Sequence, residues 1–279
     1  MKLTTINTGL FKLDGGAMFG VVPKTIWQKL NPADENNMCT WAMRCLLIED
    51  QGKLILVDTG IGNKQDKRFF EYYYLHGNDT LEKSILQAGY TPDEITDVVL
   101  THLHFDHCGG AVNYNSDKTK AFPAFKNATY WSNQEHWKWA TEPNPREKAS
   151  FLKENIFPIQ ESGQLKFIEQ GSSPFPSVDF LMVDGHTEKQ MLPIIRHGEK
   201  TIVYVADLIP SSAHLPIPYV MGYDTRPLLS MDEKNKFLRE AVEKKYILFF
   251  EHDPDIECGS LVQTEKGVRM KEGFKLSEL

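Results

Sequence analysis

Apolar residues along this chain gather into short runs separated by glycine, proline and charged turns. The runs at 41–49 and 53–57 flank Asp50-Gln51-Gly52 and predict a β-hairpin. Asp97-Val98-Val99-Leu100, a short largely apolar run with β-branched members, predicts a buried strand. Further strands are expected at 126–131, 164–169, 178–183, 190–197, 200–206 and 246–251, with a strand pair over 2–13. Helices are expected between them: 79–88 closed by Gly89, a helix capped at Ser132 and running through Trp139, a helical stretch at 146–155, and an amphipathic helix capped at Ser230 and running to Lys245. The segment 14–27 has three glycines beside Met18, Phe19 and Trp27 and reads as a flexible apolar loop. Gly109-Gly110 turns the backbone sharply, with a helix expected next.

With 279 residues, 41% apolar and 25% charged, the chain can bury a substantial core, and one domain over 1–279 is expected. Its net charge of −7 does not favour a polyanion such as nucleic acid. No apolar stretch reaches membrane-spanning length, and the first residues lack the apolar core of a signal peptide. Cys39, Cys45, Cys108 and Cys258 show no C-x-x-C pairing and fit free thiols, so a cytoplasmic location is expected.

The stretch Thr101-His102-Leu103-His104-Phe105-Asp106-His107-Cys108-Gly109-Gly110 adds the chemistry. Three of the nine histidines fall within six residues, at the carboxyl end of the 97–100 strand. His102 and His104 are two apart, so extended backbone turns them to one side, where they could chelate one metal. Asp106 and His107 lie past the strand end, within reach of a second. Imidazoles and carboxylates suit zinc, manganese or iron(II).

The segment His102-x-His104-x-Asp106-His107 resembles the signature of the metallo-β-lactamase-fold hydrolases. Val183-Asp184-Gly185-His186-Thr187 resembles that family's Gly-His-Thr element. Asp207 closes a strand like the one carrying the bridging aspartate. His252 ends the last strongly apolar strand, and Asp58 lies in an Asp-Thr-Gly strand end. The resemblance covers about residues 40 to 260. It implies an α/β fold, a four-layer αββα sandwich. It also implies two divalent ions, with zinc foremost and manganese or iron as alternatives. His102, His104 and His186 would hold the first ion, Asp106, His107 and His252 the second, and Asp207 would bridge. A hydroxide between the ions would be the nucleophile. Asp106 would carry a proton to the leaving group, and Asp58 would accept the second ring N–H of a ligand histidine.

Within the superfamily, His104 rather than glutamate points to hydrolysis over di-iron redox chemistry. Asp207 rather than cysteine, with no export signal, counts against an antibiotic-degrading enzyme. The chain is expected to end too early for a glutathione-binding helical domain, and no basic arm for RNA is visible. What remains is a hydrolase of a small, partly apolar lactone or ester, similar to the N-acyl homoserine lactonases. The alternative is an organophosphate or phosphoester hydrolase. Pro210 stands where the lactonases usually carry a tyrosine. A non-enzymatic metal-binding protein is disfavoured, because every ligand position is filled.

N-terminal loops in this superfamily often form a wall of the active site. Met18, Phe19 and Trp27 are therefore substrate-pocket candidates, with a place in the core as the equal alternative. His214, Tyr219 and Tyr223 are candidates from the proline-rich loop at 208–224. His136 is expected on a helix surface and His197 in an exposed turn. The partners expected are a small-molecule substrate, no nucleic acid and no membrane, with a homodimer left open.

Overall fold

The apolar runs form two six-stranded sheets and eight α-helices. The computed structural model describes all 279 residues, Met1–Leu279. The chain divides into two compact units. Unit 1 holds Met1–Gly9, Met43–Glu71 and His76–Pro174; unit 2 holds Leu10–Ala42, Tyr72–Leu75 and Phe175–Leu279. The fold is mixed α/β.

The first strand, β1 (Lys2–Asp14), is continuous where a strand pair was expected. Gly9 takes φ +111, which glycine alone adopts cheaply, and the strand runs through it. Next, α1 (Gly15–Phe19) and α2 (Lys24–Trp27) replace the expected flexible loop. Their glycines serve close packing: a Cβ on Gly15 would lie 2.3 Å from the Trp27 ring, and one on Gly20 would lie 2.6 Å from the Val220 carbonyl. Asp14 caps α1 by accepting from the Ala17 N–H at 2.8 Å.

β2 (Met38–Asp50) and β3 (Lys53–Val57) form the expected hairpin. Gln51 and Gly52 take φ of 48° and 78°, the left-handed pair of a two-residue turn. There follow α3 (Lys67–Glu71), α4 (Leu81–Gln87) and β4 (Asp97–Val99). The ligand motif itself contains α5 (Phe105–Cys108), so the helix lies before Gly109-Gly110 and a strand follows. The chain continues through β5 (Val112–Tyr114), β6 (Ala121–Pro123), β7 (Thr129–Ser132), α6 (Gln134–Thr141), α7 (Lys153–Glu161) and β8 (Leu165–Phe167). Asn133 rather than Ser132 caps α6, accepting from the His136 N–H at 2.8 Å. The 146–155 helix is displaced to α7. The sheet runs β1-β2-β3-β4-β7-β8, parallel from β3 to β8. Unit 1's core is Leu47, Leu56, Val98, Leu100, Leu103, Tyr130, Ile156 and Ile159, among others.

Unit 2 carries β9 (Val178–Val183), β10 (Gln190–His197), β11 (Lys200–Tyr204), α8 (Pro227–Glu243), β12 (Ile247–Phe249), β13 (Cys258–Thr264) and β14 (Gly267–Phe274). Its sheet runs β14-β13-β12-β11-β10-β9, with only β11 and β12 parallel. Pro227 opens α8 at its first turn, earlier than the expected Ser230 cap, because the fixed φ of proline suits that position. Ser230, Lys234, Phe237, Leu238 and Ala241 are buried, spaced as one helix face.

Candidate metal centre

In unit 1, β4 delivers the chain into Thr101–Gly110, and remote partners fix it there. Asp58 is fully buried at the end of β3, in the left-handed region at φ 58. Its carboxylate accepts from the Thr101 N–H and hydroxyl, each at 2.7 Å, and contacts His107 Nδ1 at 3.2 Å. A non-glycine residue held in that conformation marks a place where the surroundings dictate the backbone. The Thr59 N–H and hydroxyl both donate to the His107 carbonyl, at 2.8 and 2.9 Å. Lys64, buried, donates to the Gly109 carbonyl. Burial pulls Lys64 down to about 8. The Gly109 backbone passes so close to Ile61 that a Cβ would lie 2.1 Å from the Ile61 carbonyl oxygen.

The rings then take definite roles. His102 Nδ1 contacts the Thr101 hydroxyl at 3.1 Å, and His102 Nε2 faces His104 Nδ1 at 3.1 Å. His104 Nε2 meets Glu147 Oε1 at 3.3 Å. Glu147 is held in turn by Trp139 Nε1 at 2.7 Å and Asn144 Nδ2 at 2.6 Å. Asp106, on α5, lies 3.8 Å from His107 Nε2 and is the most exposed of the four ligand candidates in this stretch.

Unit 2 gathers three residues far apart in sequence. His186 follows β9. Asp207 follows β11, just after Ala206 at φ 39, and His252 follows β12. The Asp207 carboxylate spans the two rings: Oδ2 is 3.1 Å from His186 Nε2 and Oδ1 is 3.1 Å from His252 Nε2. His186 Nδ1 is held by Asp224 at 2.9 Å, and His252 Nδ1 by the Ala42 carbonyl at 2.8 Å. Burial opposes a charge on His186, but Asp207 and Asp224 outweigh it and raise the ring to about 10. This is a place where positive charge is stabilised.

All five imidazoles therefore share one pattern: one ring nitrogen is tied to an oxygen, and the other is turned toward ligand-type side chains. That donor set fits a divalent cation, since ligand histidines are oriented by a bond from their second nitrogen.

The substrate-pocket candidates all belong to unit 2. Met18, Phe19, Trp27 and His214 are buried, and the three rings stack within unit 2. Phe19 lies between Trp27 at 5.3 Å and His214 at 4.6 Å, both parallel to it, with Tyr219 edge-on at 6.3 Å. Tyr219 is half-buried and Tyr223 exposed. Pro210 gives its carbonyl to the His252 N–H at 3.0 Å. His136 is fully buried, contrary to the expected surface position, because its Nε2 accepts from the Leu103 N–H at 2.9 Å between the two motif histidines. His197 is half-buried. All four cysteines are free and buried. Glu147, Asp224 and Lys64 carried no sequence signal, since each acts on a motif many residues away.

Comparison with known proteins agrees with this geometry. The family model described as Metallo-beta-lactamase superfamily matches residues 44–252. An N-acyl homoserine lactonase of Bacillus cereus is 27% identical over 250 residues, covering 85% of this chain and 90% of that protein. The crystal structure of a probable metal-dependent hydrolase from Staphylococcus aureus aligns at TM-score 0.89 and 26% identity, covering 100% of this chain and 98% of the other. AidC, a dizinc quorum-quenching lactonase, shares the fold at TM-score 0.79 and 23% identity, over 98% of this chain and 95% of its own. The chain belongs to the metallo-β-lactamase superfamily and is a metal-dependent hydrolase. No helix is long and apolar enough to cross a membrane.

Proposed function

We propose that residues 1–279 act as one hydrolase domain that opens a small, partly apolar lactone or ester with the help of two divalent ions, zinc foremost. His102, His104 and His186 would hold one ion and Asp106, His107 and His252 the other, with Asp207 shared. The observation that carries this reading is the common pattern of the five rings, each tied to an oxygen through one nitrogen and turned toward another ligand candidate through the other. The lactonase relative supplies the substrate class.

Ions bound there would supply Lewis acidity, polarising a carbonyl and acidifying water. The chain's own residues do the rest. Asp58, Glu147 and Asp224 fix ring orientation and tautomer. Asp106 would accept a proton from the attacking water and return it to the leaving alkoxide oxygen. The thiol of Cys108 is not the nucleophile: burial pushes it up to about 12, and its Sγ–H points to the Leu103 carbonyl at 3.3 Å.

The test is turnover of protein loaded with zinc or manganese on a γ-lactone with an acyl chain, an aryl ester, a phosphotriester and bis(p-nitrophenyl) phosphate, alongside metal content. Fastest turnover of the lactone or ester, with two metals per chain, is expected. Fastest turnover of either phosphate substrate, or activity surviving complete metal removal, would overturn the proposal.

A further inference from the structure

Lys234 is fully buried on the inner face of α8, a position where helix periodicity calls for an apolar residue. Its ammonium donates to three backbone carbonyls: His214 at 3.0 Å, Pro216 at 3.1 Å and Tyr219 at 2.8 Å. Three donors meet three acceptors, so the charged group is fully satisfied. Removing it would strip a buried donor from three carbonyls, of which the Pro216 carbonyl also accepts from the Tyr219 N–H at 2.9 Å.

Those carbonyls belong to the loop at 208–224, which touches every ligand candidate of unit 2. The loop begins directly after Asp207. The Pro210 carbonyl accepts from the His252 N–H at 3.0 Å, and Ser212 donates to Asp253 through its N–H at 2.9 Å and its hydroxyl at 2.6 Å. At the far end, Asp224 holds His186 Nδ1 at 2.9 Å. Between these ends, His214 Nε2 donates to the Met18 carbonyl at 2.9 Å, and its ring stacks on Phe19. The middle of the loop contains Pro216 and Pro218, which donate no backbone hydrogen bond, and no regular element beyond one short 3-10 turn. The Tyr219 N–H turns back on the Pro216 carbonyl at 2.9 Å and the Gly222 N–H donates to the Ala17 carbonyl at 2.7 Å, while the lysine is the side chain that ties three carbonyls of this stretch together.

We propose that Lys234 is a positioning residue, a tethered cation that organises the 208–224 loop and thereby sets the geometry of His186, Asp207 and His252. The inference rests on the reading of those three residues as metal ligands. It assigns a role to a residue far from the ligand motif in sequence, on an element that supplies no ligand.

The test exploits the shape of the side chain. Lys234→Ala removes a propylammonium fragment, so n-propylammonium is the probe and n-propanol the neutral control of equal length. Lys234→Met keeps the volume without the charge. Both variants are expected to lose about 10- to 100-fold in kcat on the best lactone or ester, the range seen when partners of metal ligands are removed. In Lys234→Ala, n-propylammonium should restore kcat, the thermal midpoint and the visible spectrum of the cobalt(II)-loaded protein, while n-propanol should not. Lys234→Met should not respond to either. Equal rescue by both probes, or Lys234→Met with the wild-type spectrum and kcat, overturns the proposal. If wild-type protein itself takes up no cobalt, the ligand reading fails, and the metal-free thermal midpoint still tests Lys234: a shift with n-propylammonium alone supports its hold on the loop, and no shift refutes it. Should Lys234→Ala not fold, hydrogen exchange of Lys234→Met decides: faster exchange confined to 208–224 is expected, and unchanged protection there refutes the role.

Discussion

The two units hold their ligand candidates by opposite means. Unit 1 supplies His102, His104, Asp106 and His107 from one turn, so chain connectivity sets most of their spacing. Unit 2 supplies His186, Asp207 and His252 from three strand ends, and only tertiary contacts bring them to within 3.1 Å of one carboxylate. A compact motif survives the loosening of its surroundings better than a dispersed one, because fewer loops must close to form it. Unit 2 should therefore be the half that distant substitutions damage.

The largest expected effect is at Phe19. Phe19→Ala empties the centre of the Trp27–Phe19–His214 stack and should cost about 3–5 kcal/mol in urea unfolding. Unfolding free energy within about 1 kcal/mol of wild type, with only KM changed, would make the stack a substrate wall and undo the contrast. Next come the carboxylate anchors. Asp58→Ala strands the buried Thr101 N–H and should cost about 1–3 kcal/mol as well as about 10- to 100-fold in metal affinity. Asp224→Ala should lose affinity in the same range with a smaller loss of stability. Isothermal titration with zinc, paired with thermal melts, separates the two, and a larger stability loss for Asp224→Ala would overturn this ranking of the two anchors.

At neutral pH the smallest effect is that of His214, which shows only in acid. Burial pulls the His214 imidazole down to about 3, against about 6.5 in an unfolded chain. Between those values the unfolded chain binds a proton that folded unit 2 refuses. Stability from this group is thus complete above pH 6.5 and falls as pH drops toward 3, by at most about 1.4 kcal/mol per pH unit. The Tm of metal-free His214→Gln should fall less steeply with acid than that of wild type. Equal slopes would place the acid sensitivity elsewhere.

The same contrast explains what could be read from sequence. Strands β9 and β10 matched their expected limits because their runs end at clear turn residues. The motif histidines were visible because they are contiguous. The segment 14–27 departs from the expected flexible loop because glycine signals both mobility and close contact, and only the approach of Trp27 to Gly15 tells them apart. His136 departs from its expected surface position because helix periodicity says nothing about the Leu103 N–H that donates to its ring. Glu147, Asp224 and Lys234 were invisible for one reason: a charged residue announces neither its burial nor its partner.

The partition of the chain also bears on its synthesis. Leu10–Ala42 belongs to unit 2, but the rest of that unit, apart from Tyr72–Leu75, begins at Phe175. On the ribosome, Phe11, Phe19, Trp27 and Trp41, all buried in the finished protein, must wait for roughly 130 to 160 further residues before Phe175 is made, or roughly 7–33 s at ordinary elongation rates. During that interval unit 1 can complete itself while a sticky aromatic segment stays uncovered. The nascent protein is thus a client for chaperones at one defined stage, and a fragment stopped at residue 174 should aggregate although it contains the whole of unit 1.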